Sequence, residues 1–323
     1  MMQKLPLGRH AAQVETAIAS GQAAKSAVVA SWCRSSRLHQ LDPSGCQQPL
    51  RLTEAELFRM REKAEVLLRA AQPTMDRLHL AVGAAGCCVL LASGDGIPID
   101  RRGAGADDRT FESWGLWIGA IWDEEHEGTN GIGTCLVEKR PLTIDRDQHF
   151  FSRNTLLTCT AAPIYDHDAN LAGVLDVSSC RADRSASGFA DLIALAVTEA
   201  SRRIEADIFR IVFAKSRILL VPVADGQGGG LLAIDADDLV IGATRSARLA
   251  LGLATERAFR PVPAADLLGG AGPATDHLGD VQRSVLQRAL LRAEGNVSAA
   301  AKALGVSRAT LHRKLRRFGL TSH

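Results

Sequence analysis

The stretch EGNVSAAAKALGVSRATLHRKLRRFGL, residues 294–320, constrains the fold more tightly than any other part of the chain. Two segments free of helix breakers, AAAKAL and RATLHRKLRRF, are separated by Gly305 and preceded by Ser298 and Ser307, while Gly319 closes the second. Glycine tolerates the positive φ of a tight turn, and a serine hydroxyl satisfies the free N–H groups at a helix start. An earlier helix is predicted from Val281 to Ala293, with Val281, Val285, Leu286, Ala289 and Leu290 on one face and Gly295–Asn296 as its stop. Two helices joined by a short glycine-containing turn form a helix-turn-helix, whose second helix enters the major groove of DNA.

Charge agrees with that reading. Residues 281–323 carry nine Lys/Arg and one acid, Glu294, a balance of +8; the whole chain is +2, so residues 1–280 carry −6. An acidic body with a basic end is the asymmetry of a chain that meets nucleic acid at one end. On the last helix Leu311, Leu315 and Phe318 repeat at helical spacing and should face the other two helices. Ser307, Arg308, Thr310, His312 and Arg313 are then placed for base edges and adjacent phosphates. Lys314, Arg316 and Arg317 are placed to follow the backbone. Double-stranded DNA is the expected partner.

Ahead of the tail, residues 54–71 place Leu57, Met60, Ala64, Leu67 and Ala71 at helical spacing. GCCVLLASGDGIPIDRR reads as two strands around SGDG, and LTCTAAPIYDHDANLAGVLDVSS as a second hairpin around DHDAN. Between them, EGTNGIGTCLVEKRPLTID predicts a glycine-rich turn, a short helix and a strand. Hairpins with helices at the ends imply an α+β fold built on an antiparallel sheet. Ile193, Val197, Ala200, Ile204, Ile208 and Ile211 then form a near-heptad seam, read as a dimer contact as well as a core face. The expected division is an N-terminal helical region (1–69), a sensor domain with a long C-terminal dimerisation helix (70–216), a strand/helix segment (217–260), a linker (261–280) and the helix-turn-helix (281–323). Every apolar run is too short to span a bilayer and no secretory h-region is visible, so no membrane partner and a cytoplasmic location are expected. Seven scattered cysteines without a CxxC pair suggest neither a disulfide framework nor a zinc ribbon.

The tail run GNVSAAAKALGVSRATLHRKLRRFGL resembles the Fis-type helix-turn-helix of bacterial enhancer-binding regulators. That resemblance makes Arg308 and Arg313 the principal base readers. The runs EGTNGIGTCLVEKRPLTI, QHF and LTCTAAPIYDHDANLAGVLDVSS are similar to the GAF sensor domain of acetoin-catabolism regulators of the AcoR type. SWCRS, LDPSG and the PAS-like LLAIDADDLVIGATRSARLALGL extend the resemblance. It implies a small-molecule effector between the sheet and a loop-helix layer, with His126, Thr129, Asn130, Thr158, Cys159, Thr160, Asp176 and Ser178 as lining and Trp114, Trp117 and Trp122 as walls. One departure stands out. The group's AAA+ ATPase has no counterpart, because the sequence contains no GxxxxGK[ST] and no GK dipeptide at all. The expectation is therefore a homodimeric regulator that is not an enzyme, needs no cofactor and does not remodel sigma-54 polymerase, with RNA polymerase or a full-length regulator as further partners.

Three other chemistries fit parts of the sensor region. Cys159, His126, His149, Asp145 and Asp176 could gather round a metal, although no ligand spacing links them. Cys135 or Cys159 could sense oxidants, which requires an exposed thiolate of low pKa. A cysteine-based methionine sulfoxide reductase is a third possibility, one that leaves the basic tail without a role.

Overall fold

The computed structural model describes residues 7–180, 187–223, 229–236, 238–255, 258–268, 285–286, 289–290, 293 and 295–318. The chain divides into two compact units, Met1–Ala264 and Ala265–His323.

In the first unit the elements run α1 (Leu7–Ala19), α2 (Ala27–Cys33), α3 (Glu54–Lys63), α4 (Glu65–Val82), β1 (Cys87–Ser93), β2 (Pro98–Arg102), α5 (Gly105–Ser113), α6 (Glu124–Glu127), α7 (Gly131–Glu138), β3 (Leu142–Asp145), β4 (Thr158–Tyr165), β5 (Leu171–Ser179) and α8 (Ser187–Val212). There follow β6 (Arg217–Val221), β7 (Gly230–Ile234), β8 (Leu239–Ala243), α9 (Arg245–Ala250) and β9 (Val262–Pro263); α10 (Ala264–Leu268) begins at the last residue of this unit. Strands β1–β5 form one sheet in the order β2-β1-β5-β4-β3, with all its pairs antiparallel; β6–β9 form a second antiparallel sheet in sequential order. The expected α+β architecture is thus present.

The first sheet is covered on both faces, which is why its central strands read as nearly unbroken apolar runs rather than alternating ones. Side chains alternate across a strand. Cys87, Val89 and Leu91 of β1 meet the layer of α4 and α8, where Met75, Val197, Ile204 and Leu175 close one core. Cys88, Leu90 and Ala92 meet the opposite layer, where Phe111, Leu116, Trp122 and Ile132 close a second. Residues 46–52 run across the loop that joins α5 to α6. Leu52 N–H donates to the Gly119 carbonyl at 2.8 Å and Ile121 N–H to the Leu50 carbonyl at 2.8 Å.

Several expectations are corrected. The single helix predicted over 54–71 is two helices, broken at Ala64, whose ψ of 15° leaves the helical region. The seam on α8 is occupied within the chain: Val197 and Ile204 have no exposed surface, and Ile193, Ala200 and Ile208 are buried in the core shared with α4 and the sheet. It therefore does not serve as an open dimer contact. The large apolar side chains that α8 does expose are Leu192, Leu195 and, at its last residue, Val212. Residues 262–268, placed in a linker by the sequence, form β9 and α10, because Val262 pairs with Val240 at the edge of the second sheet. The N-terminal region, the first sheet and the 217–260 segment belong to one compact unit rather than three.

In the second unit, Leu286, Ala289 and Leu290 pack with Ala300 and Ala301 of α11 (Val297–Ala303) and with Leu311 and Leu315 of α12 (Arg308–Arg317). Asn296, not Ser298, caps α11: its Oδ1 accepts the N–H groups of Ser298 at 3.0 Å and Ala299 at 3.1 Å. Ser307 caps α12 by accepting the Thr310 N–H at 3.1 Å, and Gly305 takes a φ of 64° in the turn between the two helices. The expected helix start at Val281, the linker residues 269–280 and the closing Gly319 lie outside the described residues.

Candidate functional site

Two sites emerge, one in each unit. On α12 the inward stripe of Leu311 and Leu315 is buried, and Phe318 packs partly against the same core. The opposite surface presents Arg308, His312, Arg313, Arg316 and Arg317 to solvent, with Lys314 half-buried. Arg308 opens the helix, so it sits where the N–H groups and the positive end of the helix dipole also favour phosphate. Ser307 and Thr310 are engaged with each other, their hydroxyls 2.9 Å apart. They fix the entry of the helix rather than offer free polar groups.

In the first unit the residues expected to line a pocket separate into three groups. Asp176, Ser178 and Cys159 do come together on the face covered by α5–α7. Ser178 Oγ donates to Asp176 Oδ2 at 2.6 Å and lies 3.1 Å from Cys159 Sγ, which faces His149 Nε2 at 3.5 Å. The second oxygen of Asp176, Oδ1, is buried with no partner. Trp114, Trp117 and Trp122 belong to the same layer. Trp122 Nε1 donates to the Gly115 carbonyl at 2.9 Å, and Trp117 stacks under the guanidinium of Arg101 at 4.3 Å. Arg101 was not singled out from the sequence. Its Nη1 pairs with Asp108 at 2.7 Å while Nε and Nη2 are buried without partners. Strand register could have indicated it, since Arg101 pairs with Leu90, and Leu90 with Asp176, across three adjacent strands.

Thr158 and Thr160 form the second group, and they point away. Both lie out of phase with Cys159 on β4, so alternation sends them to the other face. Thr160 bonds Thr143 across the strands at 3.0 Å, and Thr158 donates to Asp145 at 2.5 Å.

His126, Thr129 and Asn130, the third group, serve the N-terminal segment and the local turn instead. Thr129 Oγ1 lies 2.6 Å from Ser31 Oγ, Asn130 caps α7 by accepting the Gly133 N–H at 2.9 Å, and His126 pairs with Asp123 at 2.8 Å. Beside them Glu124, fully enclosed, accepts from Ser31 Oγ and from Arg34 Nε at 2.7 Å. Glu127 takes both arms of its ion pair from Arg153 Nη2 at 2.6 Å. Arg153 also donates to the Gly45 carbonyl at 3.1 Å. The acidic turn 123–130 is thus a clasp for residues 31–45.

This placement also decides the alternative chemistries. Of the five residues considered for a metal, Cys159 meets His149 directly and Asp176 through Ser178; His126 is held by Asp123 and Asp145 by Thr158 at the sheet edge. Among the described residues no three His, Cys, Asp or Glu side chains converge on a metal position. Burial, reinforced by the neighbouring Asp176 carboxylate, pushes the thiols of Cys135 and Cys159 well above the ordinary value. That is opposite to what an oxidant sensor or a sulfoxide reductase needs.

Burial lifts the Asp176 carboxyl to about 7, against the pull of Ser178. The folded state therefore holds this proton from about pH 4 to pH 7, where the unfolded chain has released it. The group's contribution is complete below about pH 4 and is lost as pH climbs through 7. Asp176→Asn keeps the shape and never ionises. It should be roughly 1–2 kcal/mol more stable than the parent in urea at pH 8, and no more stable at pH 4. A variant equally or less stable at pH 8 contradicts the burial of an ionisable Asp176.

Among the described residues no helix is long and apolar enough to cross a membrane. Comparison with known proteins adds the following. The family described as "MimR, N-terminal domain" matches residues 9–206, and "Bacterial regulatory protein, Fis family" matches residues 277–318. The acetoin catabolism regulatory protein of Cupriavidus necator is 31% identical over 243 residues, 74% of this chain and 36% of that protein. The acetoin dehydrogenase operon transcriptional activator AcoR of Bacillus subtilis is 30% identical over 151 residues, 47% of this chain and 25% of that protein. The propane 2-monooxygenase operon transcriptional activator MimR of Mycolicibacterium smegmatis is 32% identical over 162 residues, 50% of this chain and 26% of that protein. The chain thus spans about a third or less of the length of these relatives. Among solved structures, the E. coli DhaR(N)–DhaL complex superposes with a TM-score of 0.52 at 13% identity, covering 74% of this chain and 80% of that one, which is a likeness of fold.

Proposed function

Because the chain belongs to the family of the MimR N-terminal domain and carries a Fis-family segment behind it, we propose that it is a DNA-binding transcriptional regulator whose first unit responds to a small-molecule effector. The observation that carries this reading is α12, with Leu311 and Leu315 buried and Arg308, His312, Arg313, Arg316 and Arg317 all turned outward. The effector belongs at the face covered by α5–α7, where Arg101 and Asp176 keep unpaired polar atoms beneath tryptophan walls. Its action is on a dimer, since two recognition helices must lie about one duplex turn (~34–36 Å) apart to read a symmetric operator. Without a phosphate-binding GK sequence, output proceeds without ATP hydrolysis. It acts by repression, by recruiting RNA polymerase, or by pairing with a full-length regulator.

The test is footprinting and mobility shift on the DNA upstream of the gene. Arg308→Ala is expected to lose about 1–3 kcal/mol of discrimination at one base pair. Lys314→Ala should weaken all sequences alike and reduce the slope of log affinity against log salt by about 1. Footprints and salt slopes that match the parent in both variants rule out α12 as the reading helix.

A further inference from the structure

The unpaired atoms at the proposed effector face are sealed from solvent: Arg101 Nε and Nη2 and Asp176 Oδ1 are all buried. The cover over Arg101 is α5 and the loop behind it. The guanidinium carbon lies 5.6 Å from the Phe111 ring and 4.3 Å from the Trp117 ring. Anything that reaches those atoms from solvent has to part this cover, so whatever holds it down decides access.

From within, α5 is tied by the ion pair of Arg101 Nη1 with Asp108 at 2.7 Å. The far end of the loop is tied beside β2, where the Gly119 N–H donates to the Pro98 carbonyl and the Trp122 N–H to the Gly96 carbonyl, both at 2.9 Å. Further ties come from outside, from residues 46–52, most of which are exposed. Apart from a bond of Cys46 to Ser44, the hydrogen bonds of this segment to described residues all end on residues 113–121. Gln48 Nε2 donates to the Ser113 carbonyl at 3.0 Å and Arg51 Nη2 to the Ile118 carbonyl at 3.2 Å. The main chain at Leu50 and Leu52 bonds Ile121 and Gly119. Pro49, the buried member, is the knob. A Cβ on Gly115, whose φ is 73°, would lie 2.5 Å from Pro49 Cδ, and the Gly115 carbonyl in turn accepts the Trp122 indole N–H. Both ends of the segment are anchored away from the cover. Arg153 donates to the Gly45 carbonyl at 3.1 Å, and Thr53 caps α3 by accepting the Glu56 N–H at 3.3 Å.

We propose that residues 46–52 are a strap that holds the tryptophan cover shut, and that its release is the step that admits an effector to Arg101 and Asp176. This inference rests on the placement of the effector at that face. A segment fixed at both ends, and bonded to the cover through main-chain groups, two exposed side chains and one proline, can lift without disturbing the sheet. None of its bonds to described residues reaches β1, β4 or β5.

Hydrogen exchange of the full chain, read by mass spectrometry, tests the strap with no effector present. Two variants free it by different means. Gln48→Ala/Pro49→Gly/Arg51→Ala removes the knob and both side-chain ties, and Leu52→Pro removes the N–H that donates to Gly119. The amides of 46–52 and of 105–117 should then exchange about tenfold faster or more, while β1 and β5 keep the parent's protection. Acrylamide, a small neutral probe, should quench more of the tryptophan emission, since Trp122 is 1% exposed in the parent. The proposal is overturned if the strap amides speed up and those of 105–117 do not, or if neither variant loosens the strap. Loss of protection in β1 and β5 together with the strap also overturns it, since the segment is then part of the core. Opening of the cover without any small molecule altering DNA affinity upholds the strap and overturns the effector reading instead.

Discussion

Ile204→Glu is expected to unfold the first unit rather than to separate two copies of it. Ile204 has no exposed surface and shares its core with Val197 and Ile208 of the same helix, with Met75 and Leu78 of α4 and with the apolar face of the sheet. A glutamate there must either bury an unpaired charge or take up a proton at neutral pH, and it forfeits the isoleucine packing besides. Together these place the loss at about 4 kcal/mol or more, a large part of the stability of a typical domain. Thermal melts by circular dichroism should show a collapsed or absent transition. The matching variant on the outer face of α8, Leu195→Glu, replaces a side chain that is 56% exposed and should leave the melt nearly unchanged. If Ile204→Glu melts like the parent, the assignment of this helix face to the core is wrong.

Glu124→Ala should be the second large effect. Its carboxylate is only 3% exposed as a residue and gathers Ser31, Thr134 and Arg34; Arg34 reaches on to Glu138 at 3.0 Å. Removing the acid leaves a half-buried guanidinium and a buried hydroxyl without their acceptor. The expected cost is about 2–4 kcal/mol in urea unfolding, because breaking one side of a buried pair strands the other. Limited proteolysis should show early cutting between residues 34 and 53, the stretch that the clasp holds down. Glu124→Gln keeps an acceptor for Ser31 and should fall between the parent and the alanine variant. An alanine variant within about 0.5 kcal/mol of the parent, the scatter of ordinary surface changes, removes the clasp from the account.

Strands β1, β2, β4 and β5, the helix α7 and the helix-turn-helix were legible in the sequence because turn residues and apolar periods are local signals. The cap of α11 was misplaced by two residues, as Asn296 and Ser298 are both capping residues and only the backbone geometry chooses between them. The break at Ala64 left no trace, since alanine is the best of helix formers and no glycine or proline marks the bend. On α8 the spacing revealed a buried stripe but not its cover; amphipathicity states how much surface is hidden, not whether a sheet or another subunit hides it. The family resemblance groups Thr158 and Thr160 with Cys159, whereas a period of two sends neighbours on β4 to opposite faces. Arg34 and Glu124 are 90 residues apart, and nothing in either neighbourhood announces the other. Buried ionic pairs between distant segments are products of tertiary folding and have no local pattern.

The clasp has a practical corollary for anyone dissecting this chain. Cutting ahead of residue 70, at the start of the sheet-bearing portion, strips Val14, Val29 and Trp32 from Phe150 and Phe151 and leaves the enclosed Glu124 without Arg34 and Ser31. Such a fragment is a poor bait for effector screens, because greasy new surface attracts compounds indiscriminately. The span recognised by family comparison opens at residue 9, within the first helix. Fragments that begin at or before that point keep Val14, Val29 and Trp32 packed against Phe150 and Phe151.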